Sequence, residues 1–156
     1  MSYTTPIYDR DAADIAAQNS KAFWNVADWA RVYNNTTEAR DAINSALGIT
    51  TVTLDALTTP TTADIPTASE LNGIPTNIER LRSWLATNAP IADDDFVEIK
   101  DDYSAGQSET APDYIAVNSW EKVIDLIYQI YKSPYTADTP PITGVAVCGE
   151  YNLGFE

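Results

Sequence analysis

Residues 25–47, Asn25-Val-Ala-Asp-Trp-Ala-Arg-Val-Tyr-Asn-Asn-Thr-Thr-Glu-Ala-Arg-Asp-Ala-Ile-Asn-Ser-Ala-Leu47, decide the reading of the fold. They form one amphipathic helical phrase with a start, a stripe and a stop. Asn25 is a good N-cap, and Asp28, three residues on, suits the positive end of the helix dipole. Val26, Trp29, Tyr33, Ile43 and Leu47 share one helical face, and Gly48 follows as the residue past the C-terminus. The middle is polar: Asn34, Asn35, Thr36 and Thr37. Poor helix formers there predict side chains that bond to a neighbouring element instead of facing water.

Two further helices follow the same logic. Thr67-Ala-Ser-Glu70 has the form of a capping box, and Leu71, Ile74, Ile78, Leu81 and Leu85 repeat at three- and four-residue spacing. Pro75 cannot donate to the carbonyl of Leu71, so a kink or short break is expected near Gly73, with the stripe preserved across it. Val117, Trp120, Val123, Ile124, Leu126, Ile127, Ile130 and Tyr131 give the third helix a face broad enough for two neighbours. Asn118 to Glu121 is either a second capping-box start or an internal feature. Before the central helix, Asp11 to Ala22 predicts a short helix with Ile15 on a small apolar face, joined through Phe23-Trp24. Residues 49–57 are β-branched and partly alternating, which suits a short strand or an extended segment.

The expected architecture is mainly α, a small bundle of three principal helices (25–47, 67–87 and 113–132) plus the short N-terminal helix. Minor β segments are expected near 49–55 and 143–155. The 156 residues suit a single domain. It would carry an N-terminal arm at 1–8, an acidic loop at 91–112 and an extended tail or hairpin at 133–156. The expected core is Val26, Trp29, Tyr33, Ile43, Leu47, Leu71, Ile78, Leu81, Leu85, Val117, Trp120, Ile124, Ile127 and Tyr131.

Charge and missing residue types exclude several functions. Nine basic against 23 acidic residues leave a formal charge of −14, which disfavours bare nucleic acid and anionic membrane surfaces as partners. There is no histidine, so the commonest general base and zinc ligand are missing. Cys148 is the only cysteine, which rules out an intrachain disulfide and suits a small buried apolar residue. No apolar run opens the chain, so no signal peptide is expected. The reading is a protein made in the cytoplasm that leaves it by lysis or within a particle.

Asp93, Asp94, Asp95, Glu98, Asp101, Asp102, Glu109 and Asp113 are balanced only by Lys100. They lack the ligand order of a calcium loop, so a solvated acidic face is expected. No defined acid pair for glycoside hydrolysis, Gly-rich phosphate loop or nucleophile elbow is present. Tyr114, Tyr128, Tyr131, Tyr135 and Tyr151 are expected to fill core and interface more than to bind sugar. Asn34 and Asn35 each open a glycosylation pattern, read as chance without a secretion signal. No catalytic, cofactor-binding or metal-binding residues are therefore expected, and no small-molecule ligand.

Several phrases carry a family resemblance. Tyr8-Asp-Arg-Asp-Ala-Ala-Asp-Ile15, followed by Trp24-Asn-Val-Ala-Asp-Trp-Ala-Arg-Val-Tyr-Asn-Asn35, resembles a helical module of tail and baseplate proteins in phages of Gram-positive hosts. Asp64-Ile-Pro-Thr67 with Ile74-Pro-Thr-Asn-Ile78-Glu-Arg-Leu81 is similar to a second family phrase. Ala116-Val-Asn-Ser-Trp-Glu121 resembles a third, Asn-x-x-Glu at the start of the last helix. Gly144 with Cys148-Gly-Glu150 is similar to the family's terminal strand end. The chain departs from the pattern at Asp11, where Thr is usual, at Trp29, where Leu is usual, and at Tyr33, where the family has Ile-Glu. The resemblance implies a non-enzymatic virion subunit that links or decorates other tail proteins and forms a homo-oligomer, with a trimer as the first expectation. A receptor- or carbohydrate-binding module and an acidic mimic of nucleic acid that inhibits a host defence enzyme are the rival expectations.

Overall fold

The computed structural model describes residues 2–22, 25–58, 61, 67–88 and 112–132, with side chains of 86–88 excepted. Among them are four helices: α1 (Ala12–Ala17), α2 (Val26–Leu47), α3 (Ala68–Asn88) and α4 (Tyr114–Lys132). No strand occurs among the described residues. The long helices form a three-helix bundle in which α4 packs against both others and the α2–α4 interface is the most extensive. No helix among the described residues is long and apolar enough to cross a membrane. The expected strand at 143–155, Phe23-Trp24, residues 91–111 of the acidic loop and the tail 133–156 lie outside the described residues.

The start and stop of α2 follow from its sequence. The Asn25 side chain accepts from the amides of Ala27 (2.8 Å) and Asp28 (3.2 Å), and the Asp28 carboxylate accepts from the Asn25 amide (3.1 Å). Gly48 closes the helix in the left-handed region, at φ 64°, where a Cβ would be strained. The Thr67–Glu70 capping box forms as expected, with the Thr67 amide donating to Glu70 (2.8 Å). Asp113 caps α4 through the Ala116 amide (2.8 Å). Asn118 and Glu121 are therefore internal to α4 and do not start it.

The core joins Trp29, Val32, Ala39 and Ile43 of α2 to the whole α3 stripe and to Trp120, Val123, Ile124 and Ile127 of α4. Val117 is buried with them. Leu47, expected in the core, is 39% exposed. Val26, Tyr33 and Tyr131 are half-buried.

The break expected near Gly73 does not occur, and α3 runs through Pro75. A helical proline costs about 3 kcal/mol. Leu71 and Ile74 before it and Ile78 after it are all buried. At about 1.5–3 kcal/mol for each such side chain, keeping them in register outweighs the lost bond. Gly73 has its own cause: a Cβ there would lie 2.4 Å from Leu57 Cδ2.

Three other expectations need correction. Helix α1 covers Ala12–Ala17, not 11–22, because Gln18 turns left-handed at φ 50°. It buries no residue, and Ile15 is 41% exposed. Residues 49–55 form no strand, and no strand occurs among the described residues to pair with them; helix side chains take the peptide groups of Val52 and Asp55. Asn44 meets Val52 N (3.3 Å) and O (3.4 Å). Asn77 meets Asp55 N (2.8 Å) and O (3.0 Å). Val52 thereby enters the core.

Candidate structural site: the arm and the buried ion cluster

Residues 2–10 cross the face made by α2 and α4, and the same amide device holds them. Thr4 N donates to Asn35 Oδ1 (2.9 Å), and Asn35 Nδ2 donates back to Thr4 O (2.7 Å). Arg10 N donates to Asn118 Oδ1 (3.4 Å), and Asn118 Nδ2 donates to Arg10 O (2.7 Å). A primary amide presents a donor and an acceptor side by side, which is what one residue of an extended chain needs. Four helix asparagines, Asn35, Asn44, Asn77 and Asn118, thus bond to these segments as a sheet partner would. The expectation that the polar middle of α2 bonds to a neighbour holds at Asn35. Since Asn35 is buried within a helix, the sequon reading has no structural support there.

Arg10 leads into a buried ion cluster. Its Nη2 lies 3.2 Å from Asp28 Oδ1 and 3.1 Å from Glu121 Oε1. Its Nη1 donates to the carbonyl of Ile7. Arg31 binds Glu121 with two donors, Nε to Oε2 (2.8 Å) and Nη2 to Oε1 (2.7 Å), and reaches Asp28 Oδ1 at 2.5 Å. The Ile7 amide completes the set on Glu121 Oε2 (2.7 Å). Two guanidinium groups meet two carboxylates, so the formal charge sums to zero. Burial opposes the charge on Arg31, but hydrogen bonds and charge from Glu121 and Asp28 outweigh it. The Arg31 pKa therefore stands above its ordinary value.

The arm's first anchor is aromatic. Tyr3 stacks on Tyr128 with ring centroids 3.7 Å apart. Its hydroxyl donates to Asp125 (2.7 Å), which also accepts from Tyr8 (3.3 Å). Burial pushes the Tyr3 hydroxyl pKa well above the usual tyrosine range, and the Asp125 hydrogen bond and charge push it further. Of the tyrosines set apart in the sequence, Tyr128 is buried and Tyr114 and Tyr131 are half-buried. Tyr135 and Tyr151 lie outside the described residues.

The chemistry of this arrangement is closure. All four carboxylate oxygens of Asp28 and Glu121 accept hydrogen bonds, which leaves neither acid poised as a base or ligand. A groove of about 610 Å³ opens between the C-terminal halves of α2 and α4, lined in part by Asp41, Ala42, Ser45 and Tyr131. Its Asp41 is paired with Arg40 at 2.7 Å. Among the described residues no group of three or more acidic, histidine or cysteine side chains could hold a metal ion. Residues 93–102 and Cys148 lie outside that set.

No site residue was named from the sequence, so Arg10, Arg31 and Glu121 were missed. A signal existed for Glu121. It lies four residues after Val117 and three before Ile124, inside the apolar face of α4, where an unpaired acid would be costly. Against models of known protein families, curated proteins and solved structures, the chain finds no match.

Proposed function

We propose that this chain is a non-enzymatic structural subunit of a phage or phage-like virion, placed in a tail or baseplate. There it links or decorates other tail proteins and associates with copies of itself, with a trimer as the first arrangement to test. One observation supports the reading. The phrases that carry the resemblance converge in space. Arg10 belongs to the opening phrase, Asn25, Asp28 and Arg31 to the phrase that follows it, and Asn118 and Glu121 to the third. All six lie in the cluster or its immediate hydrogen-bond shell. Asn77, from the remaining helical phrase, clasps Asp55. Residues that neutralise one another in a buried cluster must occur as a set, so a set spread over the chain is a natural signature of one module.

Imaging and mass spectrometry of particles purified from the source host test this directly. The expected result is the chain in fixed copy number, with density for the three-helix bundle in the tail. A chain abundant in the host but missing from the particles contradicts the proposal. Saturable binding of the isolated chain on a glycan array favours a carbohydrate-binding module instead.

A further inference from the structure

The arm is anchored strongly, but residues 11–22 behind it are not. Tyr3, Thr4, Ile7 and Arg10 are each bound by named groups of α2 and α4. In contrast, α1 buries no residue and ends at a left-handed Gln18. Lys21 bonds to Asp9 at 2.6 Å, an exposed pair that ties this connection to the arm. Residues 11–22 therefore contribute nothing to the core.

We propose that the α2–α4 face is an acceptor site for an N-terminal arm, and that its partner is a second copy of this chain, whose residues 3–10 dock in place of the chain's own. The chemistry of recognition is on the face itself. Tyr128 takes an aromatic ring, Asn35 takes both peptide groups of one extended residue, and Glu121 takes the amide three residues later. Without an arm, the cluster holds Arg31 between Asp28 and Glu121, one positive charge against two negative. A guanidinium at the position of Arg10 restores the balance, so the face selects a basic arm. An exchanged arm makes the same contacts as a resident one, which makes exchange a low-cost route to association. The competition is set by the effective concentration that the linker, which contains helix α1, gives the resident arm. Dilute chains keep their own arms, and copies crowded in an assembly exchange them. The inference deepens the reading of a repeated virion subunit, but its test needs no particle, so either can fail alone.

Two full-length variants separate donor from acceptor. Arg10→Ala disables the arm and keeps the face. Asn35→Ala with Asn118→Ala keeps the arm and weakens the face. Light scattering at moderate salt, which screens the −14 charge, is expected to give single-chain masses for each alone and a pair in the mixture. A labelled peptide of residues 2–11 is expected to bind the Arg10→Ala chain saturably and the Asn35→Ala/Asn118→Ala chain at least about tenfold more weakly, the loss of roughly 1.4 kcal/mol. If Arg10→Ala does not fold, Tyr3→Ala with Thr4→Pro loosens the arm and keeps the buried charges. Single-chain masses in the mixture, with no saturable peptide binding to a folded arm-disabled chain, overturn the proposal. Peptide binding without pairing in the mixture overturns exchange between copies.

Discussion

Arg10 and Glu121 stand 111 residues apart in the chain and meet at 3.1 Å, with side chains only 4% and 1% exposed. Arg10 and Arg31 are two of nine basic residues in a chain with 23 acids, and both are spent on this one cluster. Such a cluster is a weak source of stability compared with an apolar core of equal volume, yet removing one member leaves a buried charge uncompensated. Its effect is to fix where the arm lies. The Arg10 guanidinium balances Asp28 and Glu121 and so closes the face between α2 and α4.

The asparagine clasps are expected to show in amide exchange. Thr4, Val52 and Asp55 donate to side chains of Asn35, Asn44 and Asn77, so their amides should be protected although no strand occurs among the described residues. Asn77→Ala is expected to cost about 1–3 kcal/mol, the usual loss for a buried bonded group. It should raise exchange at Asp55 more than at Thr4. Equal exchange at Asp55 in both proteins would show that the clasp contributes nothing.

Alkaline titration tests the Tyr3 site. Its hydroxyl pKa is raised in the folded chain, chiefly by burial and then by Asp125. The unfolded chain releases that proton above about pH 10 while the folded chain retains it. The Tyr3 contribution is therefore fully present below about pH 10 and is lost as pH rises beyond it. Tyr3→Phe should lower stability at neutral pH by about 1 kcal/mol through the lost hydrogen bond. Above pH 10 it should lose stability with a shallower slope than the parent, as followed by denaturant midpoints. Identical slopes would remove Tyr3 as the cause.

Gly73 and Leu57 should be coupled. Alanine is the better helix former by roughly 1 kcal/mol, but its Cβ would overlap Leu57 Cδ2. Gly73→Ala alone is expected to destabilise, because the half-buried Leu57 must leave its packing against the core. In a Leu57→Ala background the same change is expected to stabilise by about 1 kcal/mol. Thermal melts of the four proteins check the change of sign, and the same sign in both backgrounds would refute the contact.

The helices were legible because their signals are local. Asn25 with Asp28, Thr67 with Glu70 and the Leu71 to Leu85 stripe each lie within a few turns, and the structure keeps all three. The clasped segments were not, because most of what satisfies their peptide groups lies far along the chain: Asn35 for Thr4, Asn118 for Arg10 and Asn77 for Asp55. Nothing near Asp55 announces Asn77, and the alternation of 49–55 reads as a strand although no strand occurs among the described residues. The cluster was half legible. Asp28 was read as a capping acid, which it is, but its second role depends on Arg10 and on Glu121 from another helix. Asn35, three residues after Val32 and four before Ala39, lies on the buried face as Glu121 does on α4. Polar residues inside an apolar stripe were the available sign of both the clasps and the cluster.

The most direct measurement is a double-mutant cycle between Arg10→Met and Glu121→Met, by urea unfolding at neutral pH. Either change alone leaves an odd charge in a buried place and is expected to cost about 3–5 kcal/mol. The double variant retains Arg31 opposite Asp28 in a balanced pair, so it should lose less than the sum by more than about 1.5 kcal/mol. Costs that add within about 0.5 kcal/mol would contradict the account, because the arm would then be held without the Arg10–Glu121 contact.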